Sequence, residues 1–150
     1  MKKIIALTFC FMIALCSWAQ DGLHVKDVFE GNIVGKEQLK ETFIKGEMLA
    51  SYRLSLLRTI KFTATEEQRK KIEQLVEKGI EGVLKSHSDN CEMERRNNHL
   101  YYAIVQLPDQ NARHRYLCFQ GKKNGEQTAI TLVYMEGSAS LTDLKKTFKK

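Results

Sequence analysis

The chain has 150 residues, of which 43% are hydrophobic and 28% charged, with one proline and a formal charge of +6. That size and apolar share suit one domain with its own core and exclude a disordered tail, a collagen-like repeat or a linker-rich array. The positive balance is too small to argue for nucleic acid by itself.

Met1 to Ala19 reads MKKIIALTFCFMIALCSWA. Lys2 and Lys3 give a charged start, Ile4 to Leu15 an apolar run, and Ser17 and Ala19 place small residues at the −3 and −1 positions of a cleavage site. This is the layout of a secretory signal peptide, residues 1–19, cleaved before Gln20. The apolar run is short of the ~20 residues that span a bilayer core. Lipid attachment at Cys16 is disfavoured by Leu15 in the preceding place. The expected mature chain is residues 20–150, one globular domain with no transmembrane segment after cleavage. It is exported to the periplasm, cell envelope or extracellular space. Without Lys2 and Lys3 it holds 22 basic and 18 acidic residues, and the whole excess lies after Ile104.

In the mature chain, LHVKDVFEG reads as a short helix ending at Gly31. ETFIKG and LLRTIKFTA look extended. EMLASYRLSL between them fits a helix or a strand equally well. The clearest helix is TEEQRKKIEQLVEKGIEGVLKS. Thr65 and Gln68 make a capping box, and Glu66 and Glu67 suit the positive helix start. Ile72, Leu75, Val76, Ile80, Val83 and Leu84 form one stripe for a core. Gly79 and Gly82 each cost ~1 kcal/mol relative to alanine. They either allow close approach to a sheet or mark a weak end.

SHSDNCEMERRNNH, Ser86 to His99, is the densest set of reactive side chains. In context it reads as a polar crossing between the long helix and the strands. HLYYAIVQL (residues 99–107) is apolar on both faces, as in an interior strand. Pro108 to Asn111 supply a turn. RYLCFQ and AITLVYM are two further strands, joined through Asn124-Gly125, a hairpin signal. SASLTDLKKTFKK closes the chain as a helix capped by Ser140, its lysines favourable at the C-terminal end. The expected fold class is α+β. A mostly antiparallel sheet, two N-terminal strands plus a C-terminal three-stranded meander, is packed on one side by the long helix and the short C-terminal helix.

Metal chemistry would rest on His87, Cys91 and His99. Their spacing, H-x₃-C-x₇-H, matches neither the close ligand pairs of structural zinc nor the H-E-x-x-H of a catalytic site. No metal or cofactor is therefore assigned. A nucleophilic cysteine needs a base and a group to orient it. Cys91 lies beside acids, Cys118 sits mid-strand, and no motif brings His99 or His114 to either. Cys91 and Cys118 are instead the candidate disulfide. Its closed loop of 28 residues would contribute ~3 kcal/mol, provided the Cα atoms approach within ~7 Å. No esterase elbow, P-loop or dinucleotide fingerprint is present. Arg113, Arg115, Lys122 and Lys123 beside Tyr101, Tyr102, Tyr116 and Phe119 could form a single-strand platform. Those aromatics are needed in the core, and no nucleic acid is expected.

The chain resembles small exported proteins of Bacteroidota-type bacteria classed as domains of unknown function. The resemblance rests on SWAQ followed by GLHVKDVFEG, on KGEMLASYRLSLLRTIKF and on ITLVYMEGSASLTDLKK. It implies a compact α+β domain in the periplasm or at the surface, and it carries no catalytic residue. The expectation is a non-enzymatic binding protein with an unknown protein or envelope partner. The alternative is a metal-binding or thiol-dependent enzyme using Cys91, His87 and His99.

Overall fold

The computed structural model describes residues 24–85 and 88–148. Residues 1–19, expected to be a signal peptide, and His87 lie outside the described residues. A short helix α1 (Lys26–Phe29) precedes strand β1 (Lys40–Lys45). The segment that fitted helix or strand divides, with a 3-10 turn over Glu47–Tyr52 and then β2 (Leu54–Ala64). Next come the long helix α2 (Glu66–Leu84), strands β3 (Cys91–Arg96), β4 (His99–Gln110), β5 (Arg113–Asn124) and β6 (Gln127–Gly137), and the closing helix α3 (Leu141–Phe148).

The six strands form one antiparallel sheet in the order β1-β2-β6-β5-β4-β3. The α+β class is as expected, with two differences. The meander has four strands, because the polar crossing is partly edge strand β3, which pairs Glu92 with Ile104. An edge strand carries charge on its open side, so CEMERR does not read as a strand by hydrophobicity. Its turn to β4 is Asn97-Asn98, both with positive φ (52° and 64°). This is the two-residue turn that asparagine tolerates.

The second difference is in the layers: helices cover both faces of the sheet. On one face α1 and α2 pack Val28, Phe29, Ile72, Val76 and Ile80 against Ile60, Phe119, Ile130 and Leu132. On the other, Leu144 of α3 packs with Ile104, Tyr116, Cys118, Val133 and Met135. Strands apolar on both sides require two covers. Burying each such aliphatic side chain is worth about 1.5–3 kcal/mol.

The caps behave as the sequence implies. Gln68 N–H donates to Thr65 Oγ1 at 3.3 Å, and Thr65 N–H donates to Gln68 Oε1 at 3.0 Å. Asp143 N–H donates to Ser140 Oγ at 3.2 Å. Two turns are displaced. Pro108 lies inside β4, where the register with β5 shifts, a place that accommodates proline in a sheet. The turn itself is Asn111-Ala112. The last hairpin turns through Gly125-Glu126, one residue beyond Asn124-Gly125. At the far end, a Cβ on Gly137 would stand 2.7 Å from Leu54 Cα and against the Arg53 carbonyl. That carbonyl accepts hydrogen bonds from Ser138 and Ala139 N–H, both at 3.0 Å.

Candidate functional site

The buried stripe of α2 runs on toward its start beyond the apolar residues and includes Arg69 and Glu73. Both are buried, at 2% and 7% exposed. They face His99, the first residue of β4, brought there by the Asn97-Asn98 turn. Arg69 Nη2 lies 2.8 Å from His99 Nε2, and the same nitrogen donates to Glu66 Oε1. Arginine only donates, so His99 Nε2 accepts. A neutral His99 then carries its proton on Nδ1, which faces Glu73 Oε2 at 3.9 Å. Arg69 Nε stands 3.8 Å from Glu73 Oε1, too far for a hydrogen bond, and neither atom has a hydrogen-bond partner. Burial pushes the Glu73 carboxyl above its ordinary range, against the opposing pull of the Arg69 and His99 charges.

Arg69 and His99 form one wall of a cavity of about 400 Å³, with Arg96 and Asn97 at the β3–β4 turn, Lys123 on β5 and Thr128 on β6. Leu100 and Tyr101 supply apolar surface. Among the described residues its lining holds two arginines and a lysine, and no carboxylate. The Arg96 guanidinium lies over the Tyr101 ring, 3.5 Å from its centre, and its Nε donates to Glu94 at 2.8 Å. Stacking plus one fixed hydrogen bond orients the fork. Beyond Arg96 and Tyr101 lies a smaller cavity of about 210 Å³, bounded by Tyr102, Gln120, Lys122 and Phe148.

Among the described residues, Cys91, His99 and His114 are not brought together. Cys91 pairs with Val105, whereas His99 pairs with Arg96. The six residue steps between Val105 and His99 along β4 amount to about 20 Å. His114, at the far end of the β4–β5 hairpin, is held by Asp109 Oδ1 at 3.0 Å. Among the described residues no three His, Cys, Asp or Glu side chains are grouped as a metal would require.

The candidate disulfide between Cys91 and Cys118 is corrected: both thiols are free. Cys91 packs against the α2 face and Cys118 belongs to the α3 face. They sit on β3 and β5, with β4 between. Two strand spacings of ~4.8 Å exceed the reach of a disulfide. Burial raises both thiol pKa values, that of Cys118 to about 12, so neither is poised as a thiolate.

The sequence did carry a signal for the buried pair. Arg69 and Glu73 continue the Ile72, Val76 and Ile80 stripe at helical spacing, and a charged residue on an apolar face marks a buried polar group. The cavity had no such signal. Its walls come from three separate stretches of sequence, Arg69 on α2, residues 96–101 of β3–β4 and residues 121–128 of β5–β6.

No described helix is long and apolar enough to cross a membrane. No curated protein and no solved structure matches the chain. A family model matches residues 12–148, nearly its whole length, and the chain therefore belongs to this family of unknown function (DUF6108).

Proposed function

We propose that this chain is an exported, non-enzymatic binding protein of the periplasm or cell envelope, from a Bacteroidota-type lineage, and that it takes its ligand in the cavity beside Arg69. Export is supported by the charged start, apolar run and small residues of Met1 to Ala19. Binding is supported by one observation above all. Arg69, Arg96, Lys123 and His99 converge on one cavity from a helix, a tight turn and the strands of a sheet. Convergent polar groups on rigid elements around a concave space of this size are the usual makings of a ligand site. The competing metal or thiol enzyme draws less support, since Cys91 and His99 stand at opposite ends of the β3–β4 pairing and burial raises the pKa of both thiols.

A thermal-shift screen of small metabolites, run on the protein and on an Arg96→Ala/Lys123→Ala double variant, tests the binding half. The expected result is a set of compounds that raise Tm in the protein and not in the variant. Stabilisation of equal size in both would place the ligand elsewhere. For export, the mass of the protein recovered from the periplasm is expected to correspond to a chain starting at Gln20. A chain retaining Met1 would overturn it.

A further inference from the structure

We infer that the cavity beside Arg69 binds a small organic oxyanion, a molecule carrying one phosphate, sulfate or carboxylate group, gripped by Arg96 and Lys123 with Arg69 as a fixed charge behind it. This rests on the cavity being the binding site and goes on to name the chemistry of what enters it.

Charge is the first argument. Among the described residues the walls hold Arg69, Arg96 and Lys123 and no carboxylate. The nearest acids stand outside: Glu66 and Glu73 are on α2 against Arg69, and Glu94 lies beside Arg96 on the side of the smaller cavity. Among the described residues Lys123 has no ion-pair partner. A concave, partly dry space lined by one sign of charge concentrates the opposite sign.

Burial is the second, and it is independent of the first. Arg69 is 2% exposed and its Nε has no hydrogen-bond partner. A guanidinium out of water is costly unless its charge is matched. Arg69 Nε faces the Glu73 carboxyl at 3.8 Å, and burial raises the pKa of that carboxyl above the ordinary value. Glu66 compensates from outside, with its carboxylate about half exposed. An anion in the cavity would add to the field that Glu66 and Glu73 already supply, and Thr128 and Asn97 add a hydroxyl and an amide as neutral donors.

Size decides between a bare ion and an organic one. Inorganic phosphate would leave most of about 400 Å³ empty. Cavities of this class hold organic ligands of modest size, and Leu100 and Tyr101 offer an apolar wall for the rest of the molecule.

The test is an NMR titration of the purified, ¹⁵N-labelled protein with phenyl phosphate, benzoate and benzyl alcohol at constant ionic strength set by sodium chloride. Phenyl phosphate or benzoate is expected to shift the amide signals of Asn97, Gly121, Lys123 and Thr128 saturably. Affinity should fall at least tenfold in Lys123→Ala and further in Arg96→Ala/Lys123→Ala, both of which change exposed side chains. Lys122→Ala, on the smaller cavity, should keep the affinity within twofold. Absence of saturable shifts with either anion, or equal loss in Lys122→Ala and Lys123→Ala, overturns the inference. Benzyl alcohol saturating the same amides as tightly as phenyl phosphate would overturn the oxyanion assignment while leaving the cavity as the binding site. A blank titration together with a blank thermal-shift screen overturns both.

Discussion

Glu73 joins the sequence to the site most directly, because a carboxylate on the apolar stripe of α2 has to be reconciled with burial. Its carboxyl is raised above the ordinary 4.5, first by desolvation. Between 4.5 and that raised value the native state holds more protons than the unfolded chain. Stability therefore falls as pH rises through the window. Glu73→Gln should flatten this fall, which Tm measured at a series of pH values will show; an unchanged slope would mean that Glu73 is not the group responsible. The cysteines give a second residue-scale prediction. Cys118 should resist a thiol reagent at neutral pH until the protein unfolds, and Cys91 should react more slowly than a free thiol. A mass two units lower under non-reducing conditions, with one bond between them, would contradict the arrangement of the two faces. Both cysteines were legible as residues. Their separation was not, since the face of a strand residue depends on register.

At the scale of elements, α2 was legible almost entirely because its information is local. Thr65 and Gln68 are three residues apart, and their reciprocal hydrogen bonds are present. Thr65→Ala should lower stability by about 1 kcal/mol in denaturant unfolding. Gly82 was read as either a packing device or a weakness, and the structure favours the second, for a Cβ there meets nothing within 4 Å. Gly82→Ala should therefore stabilise, by about 0.5–1 kcal/mol. Gly137→Ala should do the opposite, costing about 1–3 kcal/mol, because its Cβ would strike the backbone of Arg53 and Leu54, which cannot rotate away. Measured in the same chevron-free equilibrium series, the two alanines should move Cm in opposite directions. Edge strand β3 was not legible. CEMERR has one neighbour and an open side, so tertiary pairing with β4 overrides its polar composition.

For the whole molecule, the fold class followed from the order of elements, and the two-sided layering did not. The apolar alternation of HLYYAIVQL pointed to an interior strand. Which helix covers which face is decided by the crossover of α2 from β2 to the far edge at β3 and by the return of α3 beyond β6. The same crossover makes the cavity. It sets the start of α2, with Arg69, against the turn end of β3–β4, the end of β5 and the start of β6. A site assembled by topology from Arg69, Arg96, Lys123 and Thr128 leaves no local motif, whereas SHSDNCEMERRNNH has dense local chemistry that the fold spreads along an edge. Its contribution to the site is Arg96, Asn97 and His99.

Whether the protein binds in this cavity is decided by a crystal structure of the protein with the most stabilising compound from the thermal-shift screen. Ligand density is expected between Arg96 and Lys123, against Arg69 and Thr128. Density in the smaller cavity beside Phe148, or on another face of the sheet, would contradict it.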